Sequence, residues 1–149
     1  MEKVENKNNN RRLHYRLIDH TADLGVEVYG ADVNLLFVNA AQAMFDQMVE
    51  NSGTDITRRI SLSIEGRDRP DLMVNWLREL LFLFNGQNLL LEKVQIVKLT
   101  PTRLTAELGL GPFDAARHVF KNEIKAVTYH QVEVVPVENG WRARVIFDL

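Results

Sequence analysis

Cysteine is absent from this 149-residue chain. Its absence excludes disulfides, thiolate zinc sites, iron–sulfur clusters and cysteine nucleophiles, and it fits a reducing cytoplasm. Long apolar runs are also missing, since no stretch approaches the ~20 residues that span a bilayer. A large excess of charge of one sign is missing too. The formal net charge is −2, which does not favour binding to nucleic acid. These absences predict a cytoplasmic protein with neither a membrane nor a DNA partner.

Familiar catalytic signatures are missing as well. The sequence holds no HExxH, GxSxG, P-loop or GxGxxG pattern, so the common metalloprotease, hydrolase and nucleotide-binding motifs are not available. It also lacks a basic stripe and an aromatic stacking platform, and we therefore expect any contact with RNA to be indirect.

What is present describes an ordinary globular domain. Hydrophobic residues make up 46% of the chain and charged residues 26%. A chain of this length can bury a stable core without disulfides or structural metals. Residues 1–12 are polar and Asn-rich, without a hydrophobic signal segment, and this composition predicts a disordered leader. Residues 13–149 are expected to form a single compact domain.

The hydrophobic periodicity mixes helices and strands. Two amphipathic helices are predicted. One is capped by Asp32 and runs to about Val49; the other is opened by Asp68 and Pro70 and runs from about Pro70 to Asn85. Strands are predicted at 24–29, 60–64, 89–99, 103–110, 124–135 and 141–148, with an Asn-Gly hairpin turn before the last. The second half reads mostly as hairpins. The pattern therefore predicts an α+β fold with a mainly antiparallel sheet.

Each predicted helix has a distinctive face. Asn39 falls opposite the apolar stripe of the first helix and is expected to face solvent. In the second helix, Leu72, Phe82 and Leu83 widen the stripe almost all the way round. Such a helix is either buried on two sides or offers an apolar face to a partner, and burial is the commoner outcome.

The chain closes on an acidic residue. Asp148 precedes Leu149, so a side-chain carboxylate and an α-carboxylate stand next to each other, both ionised at neutral pH. Such a hard-oxygen pair suits Ca²⁺ or Mg²⁺ better than a soft metal. The alternation of the last strand sends Asp148 to the face opposite its apolar residues. A plain terminal carboxylate, paired with Arg142 or Arg144, is the alternative.

A second acidic cluster lies between two predicted extended segments, one at Tyr15 and Leu17 and the other at 24–29. Asp19, His20, Thr21 and Asp23 lie at a bend where Gly25 permits a tight backbone. A metal site requires Asp23 to share an ion with Asp148, and His20 would then position a carboxylate or accept a proton. Turn capping by these side chains, with a structural histidine, is equally open.

Other polar residues offer supporting roles. Asp114 and His118 lie on a loop that opens at Gly111, and His130 lies in the predicted strand at 124–135, where it is expected to be half-buried. Residue spacing alone therefore reaches a soluble α+β domain with a candidate hard-metal site.

Short motifs in a fixed order run from His20 to the end of the chain. They are His20-Thr21-Ala22-Asp23-Leu24-Gly25-Val26, Tyr29-Gly30, Asn39-Ala40-Ala41, Val74-Asn75-Trp76-Leu77 with Glu79-Leu80-Leu81-Phe82, Pro112-Phe113-Asp114 with Arg117-His118, Lys125-Ala126-Val127-Thr128-Tyr129-His130, and Val145-Ile146-Phe147-Asp148-Leu149. In this order and spacing they resemble the archease family over about residues 13–149. Leu149 stands where isoleucine is common, and Asn85-Gly86-Gln87-Asn88 replaces a more acidic turn.

The resemblance implies a function that spacing alone does not. It implies an activator of an RtcB-type RNA ligase in tRNA splicing or RNA repair, which promotes guanylylation of the ligase's histidine and multiple turnover without being an enzyme itself. It also implies a divalent-metal site, described with calcium, at Asp23, Asp148 and the terminal group of Leu149; magnesium or manganese are alternatives. Asp19, His20, Asp114, His118 and His130 are possible supporting residues.

Two other functions fit the same residues. A general protein or RNA chaperone would use the apolar second helix as its working surface. An autonomous metal-dependent hydrolase would use Asp23 and Asp148, with His20 as the base.

Overall fold

The structure is a computed structural model that describes residues 14–18, 23–50 and 52–149. Its helices are α1 (Val33–Met48) and α2 (Arg69–Gln87), and its strands are β1 (Tyr15–Ile18), β2 (Asp23–Gly30), β3 (Val49–Glu50), β4 (Arg58–Glu65), β5 (Leu89–Thr100), β6 (Arg103–Pro112), β7 (Val119–Phe120), β8 (Ala126–Val127), β9 (Glu133–Val137) and β10 (Gly140–Asp148). This mixture confirms the predicted α+β class. The prediction of a polar leader lies outside the described residues.

The described strands form antiparallel sheets. The five-stranded central sheet has the order β1-β2-β10-β8, and β9 also pairs with β10. A three-stranded sheet has the order β4-β6-β5, and β3 pairs with β7. Every strand pairing in the described part of the chain is antiparallel. The predicted sheet type is therefore confirmed.

Both helices begin where the capping residues predict. The Asp32 carboxylate accepts a hydrogen bond from the backbone N–H of Leu35 at 2.8 Å, and the Asp68 carboxylate accepts one from the N–H of Asp71 at 2.9 Å. These bonds satisfy N–H groups that lack an intrahelical partner. Helix α2 ends at Gln87, before Asn88 adopts a left-handed conformation with φ 56°. Neither described helix is long and apolar enough to cross a membrane.

The helices share one core between the sheets. The indole N–H of the fully buried Trp76 on α2 donates to the carbonyl of Phe37 on α1 at 2.9 Å, which ties the helices together. Burial on several sides is confirmed for Leu72 and Leu83, whereas Phe82 is 60% exposed. Helix α2 is thus a core helix with one aromatic side chain left in solvent.

The solvent-facing position predicted for Asn39 is wrong. Asn39 is only 3% exposed, because its side-chain amide donates to the carbonyl of Tyr29 at 2.8 Å. A buried amide is stable where it satisfies a backbone carbonyl. Asn39 therefore joins α1 to the end of β2.

The continuous strand predicted over 124–135 is also wrong. Val127 pairs with Phe147, and Glu133 pairs with Arg144, so five residues (128–132) lie opposite only two (145–146). The excess forms a bulge, which includes Gln131 in a left-handed conformation with φ 54°. His130 lies in this bulge and is exposed rather than half-buried.

A polar network covers the outer face of the central sheet, opposite the helices. Glu27 is 8% exposed, and it accepts hydrogen bonds from Arg16 Nε at 2.8 Å and from the Tyr29 hydroxyl at 2.9 Å. Burial alone would raise the pKa of Glu27, but the hydrogen bonds from Tyr29 and Arg16 outweigh it, so the pKa is lowered. The ionised form of Glu27 is therefore the one that stabilises the sheet.

Replacing Glu27 by Gln should reduce stability in a pH-dependent way. A carboxyl with a lowered pKa stabilises the fold above its unfolded pKa of roughly 4.3 and loses this effect as the pH falls through the folded value. We expect Glu27→Gln to cost about 1.5–3 kcal/mol at pH 7 and much less in acid. Urea unfolding on both sides of the unfolded pKa measures the difference. Glu138→Gln, the same change at an exposed hairpin residue, is the control; equal losses at both pH values would contradict this role.

Candidate functional site

The two acidic ends of the domain meet across β2 and β10. The register of these strands runs from Trp141 opposite Gly30 to Asp148 opposite Asp23. Directly opposed residues project to the same face, with Cβ atoms about 4.5–5.5 Å apart. The structure therefore places Asp23 and Asp148 directly opposite each other at the end of the central sheet.

Apolar alternation sets this register. Val26 and Val28 on β2, and Val145 and Phe147 on β10, are each at most 1% exposed on the face toward the helices. A slip of one residue would turn these side chains into solvent, so the register is strongly specified. Asp148 is consequently held on the outer face, beyond the helix-covered core.

Asp148 lies inside a hydrogen-bonded ladder. Its carbonyl accepts from the backbone N–H of Lys125 at 2.7 Å, and Ala126 on β8 is its pairing partner on that side. Its side chain remains exposed. Arg142 and Arg144, the alternative partners for this carboxylate, instead pair with Glu133 at 2.6 and 3.3 Å.

Packing beside the acidic pair is tight. A Cβ on Gly25 would lie 2.9 Å from Ile146 Cδ1 and 3.3 Å from Ile18 Cβ. Ile146 is fully buried although it lies on the outer face. Gly25 therefore leaves room for these two isoleucines, which pack beside the strand ends that carry Asp23 and Asp148.

The chemistry of this donor set fits a hard divalent cation. Asp23 and Asp148 carry side-chain carboxylates, and Leu149 follows Asp148 directly. Like charges directly opposite each other on neighbouring strands are unfavourable, and a cation between them would offset this. Ca²⁺ takes about six to eight oxygen ligands. The described residues contain no group of three or more His, Cys, Asp or Glu side chains that could hold a metal, so further oxygens would come from elsewhere.

The supporting residues fall in three places. Asp19 and His20 lie outside the described residues. Asp114 and His118 belong to the β6–β7 loop, where His118 is 3% exposed, its Nδ1 accepts from the N–H of Asp114 at 2.9 Å and its Nε2 lies 2.8 Å from the carbonyl of Gly53. These contacts require the neutral ring with the proton on Nε2.

Neither Asp114 nor His118 is hydrogen-bonded to the acidic pair. The Asp114 carboxylate instead accepts from the N–H of Ala116 at 2.9 Å, which forms a local turn. His130 lies in the bulge next to β8, where its N–H donates to the hydroxyl of Thr128 at 3.2 Å.

Comparison with known proteins identifies the relationship. The Archease protein family (MTH1598/TM1083) matches residues 15–149. Protein archease of Archaeoglobus fulgidus is 36% identical over 137 residues, which cover 91% of this chain and 98% of that protein. Protein archease of Thermoplasma acidophilum is 36% identical over 148 residues, with 94% and 96% coverage. The chain belongs to the archease family.

Solved structures agree with this archease fold. The solution structure of Methanobacterium thermoautotrophicum protein 1598 superimposes with a TM-score of 0.72 at 35% identity, covering 91% of this chain and 99% of that one. The crystal structure of an archease from Thermotoga maritima, described as a possible chaperone, has a TM-score of 0.61 at 18% identity, with 90% and 96% coverage. The second likeness concerns the fold alone.

A tie between α2 and the bulge was not apparent from the archease sequence. The Tyr129 hydroxyl donates to the Asp71 carboxylate at 2.6 Å, and the Arg78 guanidinium stacks on the Tyr129 ring, 4.7 Å from its centre. Arg78 Nε also donates to the carbonyl of Val127 at 3.1 Å. Since Val127 pairs with Phe147, the tie holds the strand next to Asp148. In sequence, Asp71 looks only like a favourable charge in the first turn of a helix.

Charge and hydrogen bonding reinforce each other in this tie. The hydrogen bond from Tyr129 is the largest cause of a lowered pKa for Asp71, and the same bond raises the pKa of Tyr129. The ionised Asp71 and the protonated Tyr129 are therefore the stable pair at neutral pH.

Removing the Tyr129 hydroxyl should loosen the bulge and β8. We expect Tyr129→Phe to cost about 1.5–3 kcal/mol in urea unfolding, because a largely buried carboxylate loses a strong donor. The amides of residues 126–128 should exchange faster with deuterium. A double-mutant cycle with Asp71→Asn isolates the pair; additive losses would show that the two side chains are not coupled.

Proposed function

We propose that this archease activates an RtcB-type RNA ligase and is not itself an enzyme. The observation that carries the proposal is the pairing of the half-buried Asp23 with the exposed Asp148, which brings two acidic residues to the same end of the central sheet. Membership of the archease family supports it. In this role the protein promotes guanylylation of the ligase's active-site histidine by GTP and allows multiple turnover in tRNA splicing or RNA repair.

The acidic pair is the proposed divalent-metal site. Asp23, Asp148 and the carboxylate of Leu149 would hold the ion, which we expect to be calcium, with magnesium or manganese as alternatives. A bound divalent ion can orient phosphates and neutralise developing charge. The chain's own contribution is position: the β2–β10 register fixes the two carboxylates, and the packing of Ile146 on Gly25 keeps their strands from shifting.

The outer face of the central sheet is poorly suited to binding RNA directly. Its guanidinium groups are paired: Arg16 with Glu27 at 2.8 Å, and Arg142 and Arg144 with Glu133. Paired arginines make a weak phosphate-binding surface, because binding RNA would break these ion pairs. We therefore propose the ligase as the direct partner.

Substitution of the acidic pair should abolish activation. We expect wild-type archease, substoichiometric to its cognate ligase, to accelerate histidine guanylylation with GTP and a divalent metal, and Asp23→Asn or Asp148→Asn to lower this at least tenfold, about 1.4 kcal/mol. These changes preserve side-chain size and remove only charge. Glu138→Gln is the matched control at a distant exposed carboxylate. Normal activation by Asp148→Asn would refute the acidic-site mechanism.

Metal binding is measurable without the ligase. Calcium at one hundred times its dissociation constant should stabilise the wild-type fold by about 2.7 kcal/mol and should stabilise Asp148→Asn far less. Thermal unfolding with calcium or with chelator measures the shift. An equal calcium shift in both proteins would place any bound ion elsewhere.

Chaperone activity is a second candidate, favoured by one observation. Phe82 is a large apolar side chain of α2 that is 60% exposed, and the Thermotoga maritima archease is described as a possible chaperone. A chaperone should suppress aggregation of a client protein without metal, and Phe82→Ser should weaken that effect while Asp148→Asn leaves it unchanged. The hydrolase alternative predicts turnover by the purified protein alone, which incubation with GTP and a divalent metal in the absence of ligase tests.

A further inference from the structure

The two edges of the three-stranded sheet are built differently. The outer strand β5 is interrupted by register shifts between Leu91 and Lys93 and between Ile96 and Lys98. Bulges and lysines of this kind protect an edge strand from pairing with another chain. The other outer strand, β4, keeps an unbroken register with β6 from Arg58 to Glu65 and contains neither lysine nor proline. Of the two edges of this sheet, β4 is therefore the one suited to accept another strand.

The backbone of β4 points polar groups at its open side. The carbonyl of Glu65 accepts from the Asn75 side chain at 2.9 Å on α2, whereas the N–H of Gly66 donates to Thr102 beside β6 at 3.0 Å. Backbone groups of alternate residues point to the same edge. The N–H and C=O groups of Ser61 and Ser63 therefore point away from β6, and neither backbone is hydrogen-bonded on that side within the described residues.

A groove of about 520 Å³ provides space beside this edge. Residues 63–65 line one side, and Asn75, Arg78, Glu79 and Phe82 of α2 line the other. The exposed ring of Phe82 lies along the groove as an apolar wall. The groove can therefore receive a strand laid along β4.

The sequence of β4 is complementary to itself. Arg59-Ile60-Ser61-Leu62-Ser63-Ile64-Glu65 has the same inner five residues in both directions and opposite charges at its ends. Antiparallel pairing of two copies about Leu62 places Ser61 opposite Ser63 and Ile60 opposite Ile64. It also places Arg59 of each copy opposite Glu65 of the other. In this register the outward-pointing N–H and C=O groups of the two serines are the ones that meet.

We propose that this protein forms a two-fold symmetric dimer in which β4 pairs antiparallel with β4 of a second copy, centred on Leu62. The pairing joins the two three-stranded sheets into one, and Phe82 covers the half-buried Ile60 and Leu62 of the other copy. Arg59 has no ion pair among the described residues, while Glu65 pairs only with Arg103, so each Arg59 gains a carboxylate. The proposal does not depend on ligase activation.

Charge reversal tests both the dimer and its register. We expect the full chain to sediment as a concentration-dependent dimer, and Arg59→Glu or Glu65→Arg to weaken self-association roughly tenfold or more, since each puts like charges opposite each other twice. Mixing the two variants restores both attractive pairs, so the mixture should associate as tightly as wild type. A wild-type chain that stays monomeric at about 1 mM, the weak end of specific binding, or a mixture no tighter than the single variants, would overturn the proposal.

Cross-linking supplies a second, independent readout. Because the chain has no native cysteine, Leu62→Cys introduces a lone thiol at the symmetry axis. Non-hydrogen-bonded antiparallel partners have Cα atoms about 4.5 Å apart, within the disulfide range. We expect mild oxidation to give a covalent dimer with Leu62→Cys and much less with Val97→Cys, an exposed position on the β5 edge. Equal yields would indicate random collision and overturn the proposed register.

Discussion

The antiparallel pairing of β2 with β10 is the interaction on which the rest of the structure depends. It joins the beginning of the described domain to its last strand, so it forms only when nearly the whole chain is in place. Its register buries Val26 and Val145 toward the helices and leaves Asp23 and Asp148 together on the other face. Core packing and the candidate site are therefore consequences of one register, and a slip by one residue would lose both.

Helix α2 also helps to position the acidic pair, because it contacts the backbone of the strand that pairs with β10 next to Asp148. Tyr129 bonds to Asp71, and Arg78 bonds to the carbonyl of Val127, so α2 holds the strand that pairs with Phe147. The bulge makes this contact geometrically available, because three residues in excess of the β10 spacing let Tyr129 turn toward the helix. Residues of α2 and the bulge, away from the acidic pair, thus help to position Asp148 through its neighbouring strand.

Local signals predicted much of the fold, and non-local contacts account for what they missed. Asp32 and Asp68 marked both helix starts because a capping bond involves only neighbours in sequence. The prediction for Asn39 failed because its partner, the Tyr29 carbonyl, comes from another element. The strand predicted at 124–135 failed for a similar reason, since its apolar pattern was continuous and only the register with β10 reveals the excess residues.

The candidate site likewise contains features that the sequence indicated and features that only non-local contacts reveal. The resemblance to the archease family implied that Asp23 and Asp148 share a site, and the β2–β10 register brings the two residues opposite each other. Asp114 and His118 instead contact their own loop, and the contact of His118 with Gly53 leaves no mark in the sequence. The expectation that His130 is half-buried failed because it depended on the wrong prediction of a continuous strand at this position.

One side chain connects the two surfaces of this molecule that are open to partners. Arg78 lines the groove beside β4, and the same guanidinium stacks on Tyr129 and bonds to the carbonyl of Val127 on the way to the acidic pair. A substitution of Arg78 would disturb both surfaces at once and could not distinguish them. Arg59 and Glu65 differ in this respect: they lie on an exposed strand with no hydrogen bond to the bulge or to β10 among the described contacts. Reversing these charges disturbs the β4 edge and the Glu65–Arg103 ion pair, but neither contact reaches the bulge or β10. The proposed self-association of this chain is therefore separable from the chemistry of its acidic end.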